Sequence, residues 1–290
     1  METPLYDFLK RYAAGNTVRL HMPGHKGHHP DSALQEMARY DITEIAGADS
    51  LFEAEGVIRE AERNTAALYE TGDTCFLAGG STLGIQTMLA CCCMPGDTVL
   101  AARNAHKAFI NTCALLDLNV QWLLPNSRDS FGVSGTVDAQ QVREALAQGG
   151  IKAVYITSPD YMGFMSDIKA IADVCKEYGV PLLVDNAHGA HLKFMPKDRH
   201  PIALGASMCC ESAHKTLPVL TGGAFLHIAK DFPVSAQLAK EKAALFGSTS
   251  PSYLILLSLD LCNRYLEERG KADFAALAKT AKKLRKAAEE

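Results

Sequence analysis

The feature that most restricts this chain is a regular beat of short apolar runs separated by amphipathic stretches through its middle. TCFLA (74–78), TVLAA (98–102), VQWLLP (120–125), AVYIT (153–157) and PLLVD (181–185) are too short for core helices and read as buried strands. Between them, LGIQTMLACCC, AHKAFINTCALL, DAQQVREALAQ and IKAIADVCKEYG carry apolar residues at helical spacing. Two more strands are expected at ASMCCES (206–212) and GGAFLHI (222–228), and the remainder of the chain reads as almost wholly helical. Such alternation implies an α/β fold, a mostly parallel sheet sandwiched by helices, because each parallel crossover lays a helix on a sheet face. Ahead of the first strand, GVIREAERNTAALYE predicts a helix whose apolar face is Val57, Ile58, Ala61 and Leu68, interrupted by the hydroxyl of Thr65.

Composition narrows the classes of partner. A formal charge of -4 gives no electrostatic reason to expect nucleic acid, and the basic run in KTAKKLRKAAEE is closed by acids, as in a solvated amphipathic helix. No segment is apolar for long enough to span a bilayer, and METPLYDFLKRYAAGN lacks a signal-peptide core. Nine cysteines without a CxxC pair read as small buried hydrophobes in a reducing cytoplasm, and give no zinc framework. Residues 1–70 are expected to form a helical and loop-rich segment, 71–270 one large domain, and 271–290 a helix beginning a further, truncated domain.

In an open parallel sheet, ligands collect at the carboxyl ends of the strands. After the first strand comes GGSTLG, which sets Ser81 and Thr82 at a helix N-terminus. That suits a phosphate, or it makes one hydroxyl a simple N-cap. After the second comes RNAHKAF, where His106 reads as a cap or as a ring-facing group. SPDYMG brings Tyr161 to the same edge, and DNAHGAH ends an apolar strand on Asp185. His188 and His191, with His25 and His28 of HKGHH, offer imidazoles for a metal, yet their spacing matches no standard ligand pair, so no metal is expected. One strand further on, SAHKTLP presents Lys215. A phosphate loop, a histidine, a strand-end aspartate and a later lysine are the pieces that pyridoxal 5'-phosphate needs. The lysine forms an imine, and the acid keeps the pyridine nitrogen protonated so that the ring can accept electrons.

Taken in order, PGHKG, DITEIAGADSLFEAEGVIREAE, GGSTLG, RNAHKA, SPDYMG, DNAHGAH, SAHKTLP and STSPSYLILLSLD resemble the bacterial ornithine/lysine/arginine decarboxylases, fold-type-I pyridoxal-phosphate enzymes. The resemblance runs from about residue 5 to about residue 270. It implies that Lys215 carries the imine, Asp185 pairs with the pyridinium, His106 stacks on the ring and His188 lies beside it near the imine. Ser81, Thr82, Ser212 and His214 would bind phosphate. A homodimer is also implied, with Ser248 and Thr249 reaching the neighbouring subunit's phosphate. The implied reaction is decarboxylation of a basic amino acid, arginine, lysine or ornithine, to an amine of the polyamine class. An aminotransferase, another lyase or a non-catalytic cofactor-binding homologue would share the same scaffold. The chain departs from the family in carrying Asn186 where Glu usually follows the strand-end Asp, and AGGST in its phosphate loop. Members also continue well beyond the length seen here.

Overall fold

The seven apolar runs become seven strands of one sheet: β1 (Asp73–Leu77), β2 (Thr98–Ala102), β3 (Asn119–Leu123), β4 (Ile151–Thr157), β5 (Leu182–Asp185), β6 (Met208–Glu211) and β7 (Ala224–Ile228). They belong to a computed structural model that describes residues 1–125 and 135–289. Their order is β1-β7-β6-β5-β4-β2-β3, with β7 antiparallel to both neighbours and every other pairing parallel. The register sets Thr157 opposite Asp185 and Asp185 opposite Cys210, so β4, β5 and β6 end level at one edge.

Period-two alternation sends side chains to opposite faces. Tyr155, Leu183, Met208 and Cys210 pack on one side with α4 (Gly80–Cys92), α5 (Lys107–Leu115) and α9 (Ala236–Ala244). Val154, Ile156, Val184 and Cys209 face the other side, against α6 (Ala139–Leu146) and α7 (Ile168–Glu177). A third cluster joins Phe76 and Phe225 to α1 (Pro4–Ala14), α3 (Val57–Tyr69) and α10 (Tyr253–Tyr265) through Leu5, Leu9, Ile58 and Leu256. Three further α-helices complete the α-helical set among the described residues: α2 (Ser32–Tyr40), the single turn α8 (Ala213–Thr216) and α11 (Lys271–Glu289), whose Phe274 reaches that third cluster. All nine cysteines are free, and seven are buried. Among the described residues no helix is long and apolar enough to cross a membrane.

Helix α3 differs from its expected face. Ile58 and Ala61 are buried as expected, but Glu62, Thr65, Ala66 and Tyr69 join them while Val57 and Leu68 stay half-exposed. Thr65 is no interruption, because its hydroxyl donates to the Ala61 carbonyl at 3.0 Å and accepts from Asn263 Nδ2 at 2.8 Å. Glu62 accepts from Phe76 N–H at 2.9 Å and from Lys240 Nζ at 2.6 Å, pinning α3 to β1 and α9. Removing one partner of such a buried pair costs about 3–5 kcal/mol, since the other charge is left unpaired.

The start of α1 is capped from another helix. Thr3 makes no side-chain cap, and Tyr6 N–H instead donates to the buried carboxylate of Asp260 on α10 at 3.0 Å. Burial raises the Asp260 carboxyl to about 7. Between roughly 4, the unfolded value, and about 7 the native chain holds a proton that the unfolded chain has released. This group's stabilisation is therefore complete at low pH and is lost as pH rises. Asp260→Asn, which keeps an acceptor for Tyr6, should remove that slope. Its thermal midpoint should gain on the wild type between pH 5 and pH 8, and parallel profiles for the two proteins would refute the assignment.

Candidate active site

Asp185 ends β5 nearly inaccessible to solvent, and its carboxylate is held rather than loose. Tyr155 O–H donates to Oδ2 at 3.1 Å and Ala187 N–H donates to Oδ1 at 3.1 Å. Tyr155 stands two residues before Thr157, the register partner of Asp185, so both side chains leave the same sheet face. Its ring is fixed by stacking on Phe109 at 4.2 Å. Burial pushes the Asp185 carboxyl above its ordinary value, partly offset by the Ala187 and Tyr155 hydrogen bonds and by the nearby His106 and Lys215. A buried carboxylate that resists ionisation until a cation arrives suits a ring nitrogen that must stay protonated.

Lys215 lies in the single turn α8, directly beyond β6, and its side chain is exposed. Its Nζ donates to His188 Nε2 at 3.1 Å. Burial, and then the neighbouring ammonium, lower the His188 pKa below its ordinary value, which favours the neutral ring, able to accept. Tyr161 packs edge-on against His188 with ring centres 5.7 Å apart, so the irregular segment after β4 does reach this edge.

The phosphate expectation rests on α4. Its cap position is Gly79, with no side-chain cap, so neither Ser81 nor Thr82 serves as the N-cap. The Ser212 hydroxyl donates to Ser81 Oγ at 2.8 Å, which leaves the Ser81 proton free to donate onward. The helix can sit this close to β6 because a Cβ at Gly84 would fall 2.5 Å from Cys210 Cβ. His214 is held by its Nδ1, 3.0 Å from the Gly223 carbonyl. First-turn amides, two hydroxyls and an imidazole form a donor set for a dianion, and with Asp185 and Lys215 it fits pyridoxal 5'-phosphate.

The remaining expected residues fall as follows. His106 caps α5, its Nδ1 accepting from Ala108 N–H at 3.1 Å, which orients a ring close enough to act on Asp185 and His188 electrostatically. Thr82 and Ser248 line one cavity of about 260 Å³ with Gly79, Phe246 and Gly247, while Thr249 is exposed. Of the histidines weighed as metal ligands, His25 pairs with Asp41, His188 with Lys215, and His191 lies against Phe274. A different trio, His200, Cys209 and Glu211, does converge among the described residues. There His200 Nε2 stands 2.9 Å from Glu211 Oε1, a hydrogen-bond distance shorter than the roughly 3.3 Å between two ligand atoms on a tetrahedral zinc. Sequence reasoning missed Tyr155, which looked like one more strand residue, and Glu211 with His200 and His227, which no local spacing connects.

The profile of the family described as "Orn/Lys/Arg decarboxylase, major domain" matches residues 3–290. An arginine decarboxylase of Bacillus anthracis is 31% identical over 99% of this chain and 59% of its own length. YaaO of Bacillus subtilis is 35% identical over 92% of this chain and 57% of its own. The chain thus spans somewhat more than half the length of the curated relatives it matches. Among solved structures, the Francisella novicida lysine decarboxylase LdcF superposes with a TM-score of 0.80 at 21% identity, covering 91% of this chain and 40% of that one. It establishes a shared fold.

Proposed function

The chain belongs to the Orn/Lys/Arg decarboxylase family, and on that premise we propose that it is the cofactor-holding part of a pyridoxal-phosphate-dependent decarboxylase of a basic amino acid. The observation that carries this reading is the convergence at one sheet edge of the Lys215 amine, the neutral His188 beside it at 3.1 Å and the buried Asp185 behind them. When bound, pyridoxal 5'-phosphate supplies the carbonyl that condenses with an amine and the ring that takes up the electron pair of the broken Cα–carboxylate bond.

In this reading residues 71–270 hold the cofactor. Lys215 is its covalent anchor, and Asp185 keeps a proton on the ring nitrogen. Tyr155 and the Ala187 amide hold that carboxylate in line. Ser81, Thr82, Ser212 and His214 bind the phosphate, and His106, oriented by its own cap, covers one ring face. His188 takes or returns a proton at the Lys215 amine, the role its neutral Nε2 permits. A homodimer brings Ser248 and Thr249 of one subunit towards the phosphate of its partner. The relatives named as arginine decarboxylases make arginine the first substrate to try, with lysine and ornithine beside it.

The test is to incubate the cofactor-loaded protein with each amino acid and measure CO2 and amine together. Equal release of both from one of the three supports the reading. Turnover that needs a keto acid and releases no CO2 would make the chain an aminotransferase instead.

A further inference from the structure

Beneath the sheet edge, on the face opposite Asp185, lies a buried polar cluster that the reaction does not use. Its centre is Glu211, the last residue of β6, which alternation places with Cys209 rather than with Cys210 and Asp185. His200 Nε2 lies 2.9 Å from Glu211 Oε1, and His227 Nε2 lies 3.4 Å from Oε2; all three side chains are wholly buried. These imidazoles hold the Glu211 carboxyl well below its ordinary range despite its burial. His227 is braced in turn by Thr74 at 2.8 Å, and its ring lies 4.5 Å from that of Tyr69. One further bond to the carboxylate is the informative one. Asn186 Nδ2 donates to Glu211 Oε1 at 2.5 Å. Asn186 directly follows Asp185 and opens the turn that presents His188, while Glu211 directly precedes Ser212 and the Lys215 turn. A Cβ at Gly189 would sit 1.9 Å from Asn186 Oδ1, so this turn is closed tightly over the same amide.

We propose that Glu211 and Asn186 form a positioning pair that locks the loop carrying Asp185 and His188 to the loop carrying Ser212 and Lys215, from the far side of the sheet. A buried carboxylate against two imidazoles has little freedom to move, and the Asn186 amide bond ties its position to the neighbouring strand end, beside the ladder bond from Asn186 N–H to the Cys210 carbonyl at 2.9 Å. The pair acts through the catalytic groups and touches none of them. The inference rests on the proposed function only for its consequence, since the locking itself is a property of the cofactor-free chain.

The experiment has two arms. In the cofactor-free protein, amide hydrogen exchange is followed in 186–192 and 212–217 for wild type, Asn186→Ala and Glu211→Gln. Asn186→Ala leaves the carboxylate and its imidazoles intact and so keeps the fold. Exchange should quicken roughly tenfold in both loops for either variant. Acceleration confined to the mutated residue's own loop, or none, overturns the proposal. In the second arm, each single variant should weaken pyridoxal phosphate about tenfold, and the exchanged pair Asn186→Glu with Glu211→Gln should return to within about threefold of wild type. A double variant as weak as the poorer single overturns the pairing. Should the wild type itself fail to bind the cofactor, the functional reading falls, while the exchange arm still decides this one.

Discussion

Replacing Lys215 by alanine lowers turnover by roughly 10³-fold or more and abolishes the borohydride-reducible attachment of cofactor to the chain, while the thermal midpoint of the cofactor-free protein stays where it was. The two halves of this expectation have different causes. The side chain is exposed and its hydrogen bond goes to a half-buried histidine, so truncation leaves no cavity and no buried unpaired charge. A surface change of that kind moves stability by about 0.5 kcal/mol or less. The chemical loss is large because the amine is the only group in the turn after β6 able to form and release an imine at the right edge. His188 provides an internal check. Its imidazolium is disfavoured first by burial and then by the Lys215 ammonium, so the variant should titrate His188 at higher pH by NMR. Retained turnover with a retained covalent label would remove Lys215 from its role.

What could be seen beforehand, and what could not, divides along the range of the interactions involved. The strands were legible because buried parallel strands must be apolar along their whole length, and Asp185 was legible as a carboxylate that breaks such a run at its end. The antiparallel direction of β7 was not, because a ten-residue scale of pattern carries no sign of strand direction. The buried face of α3 is wider than its apolar residues mark, because a charged residue joins it. Glu62 is wholly buried because Lys240, far away in the chain, neutralises it. The cap-or-ring ambiguity of His106 turns on one hydrogen bond to Ala108 N–H, which leaves the ring face available as well. Ser81 was placed correctly at a helix N-terminus, but its partner, Ser212, stands just past the end of β6, which no local spacing relates to it. The Glu211 cluster is the extreme case, since its members come from a loop, two strands and the turn after β5.

Asp185→Asn is the sharper test of the cofactor reading, because it should improve one property while it ruins another. Asparagine preserves the shape: its Oδ1 can accept from Ala187 N–H, and its Nδ2 can donate to the Tyr155 hydroxyl oxygen in place of the bond Tyr155 now gives. What it removes is a charge that burial makes unwelcome. The folded carboxyl is raised, so the native chain keeps a proton that the unfolded chain gives up, and Asp185 withdraws stability as pH climbs above the unfolded value near 4. At pH 8 the cofactor-free variant should therefore melt above the wild type, and at pH 3, where both forms are neutral, the two should coincide. A protein retains such a group when a ligand repays it, and in the proposed reading that ligand is a protonated ring nitrogen. With the cofactor bound the order should reverse: the wild type gains more from binding, and the variant turns over roughly 10²–10³-fold more slowly, the loss expected when one preorganised charge is removed from a developing carbanion's sink. A variant that melts lower at pH 8 would mean that the carboxylate holds the fold rather than a ligand, and undiminished turnover would mean that the ring nitrogen is served by another group.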